Sequence, residues 1–171
     1  ATGSEPATPP IPGADLPGVL DSTGLLDLRG EIMKDFVIIG GGVIGIEFAT
    51  IYSDLGTNVT VVEAMDRLLP NMDKELGRSL KMNFKNRGID THTNAMDKVQ
   101  EVEADHILVC TGRRPVTKGV FSEELEEKLL GARGFLQVDD CYRTEIPSIY
   151  GIGDAIGGTM LAHTATAEGR N

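Results

Sequence analysis

The chain has 171 residues, 40% of them hydrophobic and 25% charged, which suits one full domain, or one domain with pieces of a neighbour, and excludes a disordered or fibrous chain. Its 16 Lys and Arg against 26 Asp and Glu leave a net charge of −10, so the surface as a whole repels phosphate backbones and anionic lipid, and nucleic acid is not expected as a partner. No apolar run reaches the roughly 20 residues a bilayer demands and the first residues lack the order of a signal peptide, while Cys110 and Cys141 stand far apart with no histidine at metal spacing, so a soluble chain of the reduced cytoplasm, with no membrane partner, metal site or disulfide framework, is expected.

Residues 1–35 begin rich in Pro and Gly and turn mildly apolar through Leu20, Leu25, Leu26 and Leu28, the pattern of a connector leading into a domain. The wholly apolar run 36–39 predicts a strand buried on both faces and central in a parallel sheet. After three glycines, Ile44, Phe48, Ile51 and Leu55 recur at helical spacing and predict one apolar helix face, with the helix ending near Gly56. Residues 57–63 read as a β-branched strand that completes a βαβ unit. A second helix is predicted from Lys74 to about Arg87, with Leu76, Leu80 and Phe84 on one side, and a further strand over 89–93. A buried strand over 105–111 is capped by Gly112-Arg113-Arg114-Pro115. An acidic, solvated helix over 123–130 and short strands over 135–138 and 148–152 follow. The alternation predicts an α/β, Rossmann-like domain, a parallel sheet with helices on both faces and a cofactor at the C-terminal edge of the strands.

Gly40-Gly41-Gly42-Val43-Ile44-Gly45 satisfies G-x-G-x-x-G, a weak pattern alone that gains weight from its setting after an apolar strand, at the start of a helix, and ahead of a second strand that ends in Glu63. Gly40 would permit the tight turn, Gly42 would let a pyrophosphate approach the backbone, and Gly45 would let the helix pack closely, with the phosphate at the positive helix end. Glu63 would accept hydrogen bonds from the adenosine ribose hydroxyls and repel a 2′-phosphate, which favours NAD over NADP. The bland alternatives are a ligand-free glycine turn and a carboxylate that merely ends a strand.

The stretch 37–47 followed by Val61-Val62-Glu63 resembles the NAD domain of the pyridine nucleotide-disulfide oxidoreductases, the flavoprotein disulfide reductases. Further segments agree in order: Ala1-Thr2-Gly3-Ser4 with Pro10-Ile11-Pro12-Gly13 resembles the strand and connector leading out of the FAD domain. Thr111-Gly112-Arg113-Arg114-Pro115 resembles the family's second glycine turn, and Ile149-Tyr150-Gly151-Ile152-Gly153-Asp154 its second flavin motif. Met160-Leu161-Ala162-His163 with Ala167-Glu168-Gly169 is most similar to the members that oxidise dihydrolipoamide. The resemblance implies segments 1–20 (end of the FAD domain and connector), 21–147 (NAD domain) and 148–171 (returning FAD segment). It also implies that Gly40, Gly42, Val43, Ile44, Gly45 and Gly112 approach NAD, that Glu47 helps orient the nicotinamide, and that Asp154 accepts hydrogen bonds from the flavin ribityl chain. Met160, Leu161, Ala162 and His163 would line the flavin, with no catalytic role for His163, because the family's acid/base histidine comes from a different, C-terminal domain.

The implied parent enzyme takes electrons from dihydrolipoamide, carried on a lipoyl protein, through a redox disulfide and FAD to NAD, and is a homodimer. The family's first flavin fingerprint and its cysteine pair separated by four residues do not occur in these 171 residues; both are expected ahead of residue 1, and this chain by itself is expected to hold no flavin and to be inactive. Between Asn94 and Glu103 the family's antiparallel meander is shortened. Two alternatives stay open: a nucleotide-binding module without turnover, and another disulfide reductase such as a mercuric reductase.

Overall fold

The computed structural model describes residues 1–30, 32–95 and 103–170. In chain order the elements are β1 (Ser4–Pro6), β2 (Val19–Leu20), α1 (Ser22–Asp27), β3 (Asp35–Ile39), α2 (Val43–Asp54), β4 (Asn58–Val62), α3 (Lys74–Asn86), β5 (Asp90–His92), β6 (His106–Val109), β7 (Arg113–Pro115), α4 (Glu123–Leu129) and α5 (Ala162–Glu168), with a 3₁₀ turn at Gly153–Ala155 before α5. They fall into two compact units, Pro6–Gly112 and Ala1–Glu5 with Arg113–Asn171.

The unit Pro6–Gly112 holds a five-stranded sheet in the order β2-β6-β3-β4-β5, with every neighbouring pair parallel. β3 is central, as its unbroken apolar run demands: Ile38 lies opposite Val61 on one side and Leu108 on the other, and is fully buried. Successive side chains of β3 alternate between two cores. Phe36 and Ile38 join Leu25, Ala49, Val59, Val61, Leu68, Phe84 and Leu108 on one face. Val37 and Ile39 join Val62, Ala95 and Val109 on the other. The Rossmann-type α/β fold is present as expected. Among the described residues, helices enter only the first core, and the second is covered by Ile11, Ala95 and Ala104 from loops. The shortened meander expected between Asn94 and Glu103 falls almost wholly on residues 96–102, which lie outside the described residues.

Several local expectations are corrected. The connector carries β2, the sheet's edge strand, and α1, whose Leu25 is buried. Of the expected α2 face, Phe48 packs on the core and Ile44 is partly buried, but Ile51 and Leu55 are each 51% exposed; the buried face is built on Gly45 and Ala49, with Tyr52 one turn on and its ring 4.8 Å from Phe36. A glycine at the helix–sheet crossing selects that face, because only there can the two backbones approach closely. In α3, Leu76 is exposed while Gly77 and Phe84 are buried.

The second unit is sparser in regular structure. β1 pairs with β7, so 113–115 is a strand and more than a cap. Neither 135–138 nor 148–152 is a strand. Leu136 makes a single bridge to Leu130 and Tyr150 one to Arg143, and the neighbouring amides go to scattered acceptors, Leu136 N–H to Ala155 and Gly151 N–H to Tyr142. A strand needs a continuous ladder partner, which these apolar runs lack among the described residues. No helix of the described residues is long and apolar enough to cross a membrane, and no cluster of metal-ligating side chains is found among them.

Candidate functional site

The three glycines leave the C-terminal end of β3 and lead into α2, where the fingerprint positions Gly40 and Gly45 are hemmed in and Gly42 is open. Gly40 has φ 122°, donates its N–H to Val62, and would place a Cβ 2.5 Å from the Cys110 carbonyl oxygen. Gly45 would place one 2.1 Å from the Gly40 carbonyl oxygen and 2.9 Å from the Cys110 sulfur. Both positions are closed to any side chain. Gly42 is the opposite case: it is the N-cap of α2 with ordinary extended backbone (φ −78°, ψ 179°), and a Cβ there would meet nothing within 4 Å. No side chain caps α2, so its first N–H groups, which cannot bond within the helix, have no capping partner and lie at the positive end of the helix dipole, beside the open space at Gly42. This is an open cradle suited to a phosphate.

Glu63 follows β4 and is 7% exposed. Its Oε2 accepts the Gly41 N–H at 2.6 Å and its Oε1 the Met65 N–H at 2.7 Å. Each oxygen keeps a lone pair for a ligand hydroxyl. Arg67, in the same segment, bonds Asp66 and the Pro70 carbonyl while its buried Nε has no partner. Val43 is half exposed, Ile44 partly buried, and Glu47 exposed one turn into α2. Gly112, with φ 153°, ends this unit and accepts the Ala7 N–H. Cys110 lies beneath the turn, its Sγ 3.5 Å from the Ile39 carbonyl oxygen; burial, and secondarily the Glu63 charge, push its thiol up to about 12, so it is no nucleophile at neutral pH.

In the other unit, Asp154 sits in the 3₁₀ turn, where its Oδ2 accepts the Ser4 hydroxyl at 2.5 Å. Arg113 donates Nε to that hydroxyl and Nη2 to the Ser4 carbonyl, both at 2.6 Å. The Glu168 carboxylate accepts the Gly153 N–H at 2.6 Å. Met160 is partly buried, whereas Leu161, Ala162 and His163 are exposed at the start of α5. The structure therefore gathers Gly40, Gly42, Val43, Ile44, Gly45, Glu47 and Glu63 in one unit and Asp154 with 160–163 in the other. Sequence reasoning singled out neither Gly41 nor the bracing residues Ser4, Arg113 and Glu168. The signal for Gly41 was the middle glycine of the row, which the fingerprint leaves unexplained.

Residues 1–169 match the family described as pyridine nucleotide-disulphide oxidoreductase. The chain belongs to this family. Its members use FAD and a nicotinamide dinucleotide. The chain is 38% identical to a dihydrolipoyl dehydrogenase of Geobacillus stearothermophilus and 39% identical to a dihydrolipoamide dehydrogenase of Chaetomium thermophilum, with 99% and 98% of this chain covered. It spans only 39% and 37% of those relatives' lengths. The first alignment runs over 189 positions against a 171-residue chain, so the relative carries at least 18 residues without a counterpart here. Among solved structures, the chain is similar to the HOCl-induced flavoprotein disulfide reductase RclA from Escherichia coli (TM-score 0.89, 31% identity, 99% of this chain and 42% of that one). It is also similar to a water-forming NADH oxidase from Lactobacillus brevis bound to NADH (TM-score 0.82, 26% identity, 98% and 43%).

Proposed function

We propose that this chain is the NAD-binding portion of a flavin-dependent dihydrolipoamide dehydrogenase, a parent that oxidises the two thiols of a protein-borne dihydrolipoamide to a disulfide and passes a hydride to NAD. The observation that carries the reading is the open, uncapped N-terminus of α2 beside Gly42, with the Glu63 carboxylate at the neighbouring strand end. In this reading Gly42, Val43 and Ile44 offer backbone to the pyrophosphate, and Gly40 and Gly45 hold the turn and helix in place. Glu63 accepts from the ribose hydroxyls, and its negative charge opposes a 2′-phosphate. Glu47 stands toward the nicotinamide end, and Gly112 near the cofactor.

Asp154, braced by Ser4 and Arg113, would accept a ribityl hydroxyl through the oxygen that Ser4 leaves open, with 160–163 alongside. FAD, when bound, supplies the two-electron relay between the redox disulfide and the nicotinamide. These residues fit the ribityl end, but the 171 residues hold no second G-x-G-x-x-G for its pyrophosphate. A cytoplasmic homodimer served by a lipoyl protein belongs to the same reading, in which the names of the relatives support the dihydrolipoyl substrate alone. The likeness to RclA favours a second reading, another disulfide reductase using the same dinucleotide site.

Calorimetric titration of the chain with NADH and, separately, NADPH at one ionic strength tests the proposal. Binding with preference for NADH is the expected result. Heat from neither dinucleotide, or a preference for NADPH, refutes the assignment of this turn and of Glu63.

A further inference from the structure

Three glycines stand in a row, yet the fingerprint explains only the outer two. Gly41 does not need glycine for its backbone conformation, since its φ lies outside the left-handed region. It needs glycine for space: a Cβ would come within 2.8 Å of Leu68 Cδ2, 3.0 Å of Glu63 Oε2 and 3.1 Å of Glu63 Cβ. Both backbone polar groups of Gly41 are taken by the same segment, its N–H by Glu63 Oε2 and its carbonyl by the Leu69 N–H at 2.8 Å. From the other side α3 closes on this segment through a second glycine, Gly77, where a Cβ would lie 2.5 Å from the Leu68 carbonyl oxygen.

Residues 63–69 thus form a strap held between Gly41 and Gly77, its Leu68 side chain fully buried. Leu69 adopts a left-handed conformation (φ 51°), which a leucine keeps only where its surroundings impose it. Here they are the bond to Gly41 and the Met72 N–H on its own carbonyl.

We infer that Gly41 is a specificity-determining positioning residue: through the strap it aims the Glu63 carboxylate, so that residue 41 sets the preference between nicotinamide dinucleotides without touching the ribose. This rests on the NAD reading proposed above. A Gly41→Ala methyl keeps the residue-41 N–H but displaces Oε2 from it, so the discriminating charge moves off the ribose position. The effect therefore falls on selectivity more than on affinity.

The test is titration of wild type, Gly41→Ala, Glu63→Gln and the double variant with NADH and NADPH, with melting curves run alongside. We expect Gly41→Ala to reduce the NADH-over-NADPH ratio by about ten-fold or more, and the double variant to discriminate no worse than Glu63→Gln alone, because both substitutions disable one device. Equal weakening of both dinucleotides with the ratio preserved, or additive losses in the double variant, overturns the inference. Should Gly41→Ala not fold, adding Leu68→Ala removes the 2.8 Å collision while the one with Glu63 remains; recovery of the wild-type ratio there also overturns it.

Hydrogen exchange of the ligand-free chain tests the strap separately. The Gly41 and Met65 amides should exchange slowly in wild type, and one of them should exchange faster in Glu63→Gln, whose amide has a single acceptor oxygen. Fast exchange of both in wild type removes the strap. Protected amides in a chain that binds neither dinucleotide would instead sink the nucleotide reading and the specificity role with it, so the two failures are distinguishable.

Discussion

Gly42→Ala should separate binding from folding at a single methyl group. Alanine is at home at φ −78°, ψ 179°, and its Cβ would meet nothing within 4 Å, so no strain or collision opposes it. Two small effects remain and oppose each other: reduced chain entropy in the unfolded state stabilises by roughly 0.4–1 kcal/mol, and loss of a glycine N-cap costs a similar amount. A net change within about 1 kcal/mol corresponds to a Tm shift of no more than about 4 °C. The methyl nevertheless stands where the pyrophosphate must approach the N-terminus of α2. Losing one hydrogen bond to a charged group there costs about 1.5–3 kcal/mol, or roughly a 10- to 100-fold rise in Kd for NADH. Calorimetric titration and a thermal melt on the same sample decide it. A variant that binds NADH like wild type refutes the placement of the phosphate, and one that unfolds refutes the claim that Gly42 borders open space.

Gly45→Ala is expected to behave in the opposite way, since its methyl meets the Gly40 carbonyl oxygen at 2.1 Å; a melt should show destabilisation by about 1–3 kcal/mol or more, and a wild-type Tm would contradict the packing described. Alkylation of the native chain near pH 8, read by peptide mass spectrometry, should label the exposed Cys141 and spare Cys110, whose thiol is pushed up to about 12. The same group makes stability depend on alkaline pH. Its folded value lies above the ordinary 9.0, so its contribution is whole below about 9 and is lost as pH rises from there toward 12, a decline that Cys110→Ala should flatten in denaturant titrations. Asp105 works at the acid end: the Asp35 amide first, and the Lys34 amide with it, bond its carboxylate and hold it below the usual range. Asp105→Ala should therefore lower Tm at neutral pH, with the gap to wild type closing as pH falls through the depressed value; a gap independent of pH would contradict it.

The amino-acid sequence determined the elements whose physics is local. The unbroken run at 36–39 had to be a strand buried on both faces, and the glycine row had to be a turn into a helix, because no other residues tolerate Gly40's φ or the crossing at Gly45. Glu63 was legible as the acid at the next strand end because the βαβ period places it there. Tertiary structure alone decided which face of α2 is buried. Hydrophobicity pointed to the face of Ile44, Phe48, Ile51 and Leu55, but the sheet's close approach fully buries Gly45 and Ala49 with Ile46, Phe48 and Tyr52 packed beside them, and leaves Ile51 and Leu55 half exposed. It likewise decided that the apolar runs 135–138 and 148–152 are not strands, since a strand is made by its partner. The place of Gly41 beneath the strap, and the brace of Ser4 and Arg113 on Asp154, join residues far apart in the chain, and no periodicity in a single sequence reports such pairings.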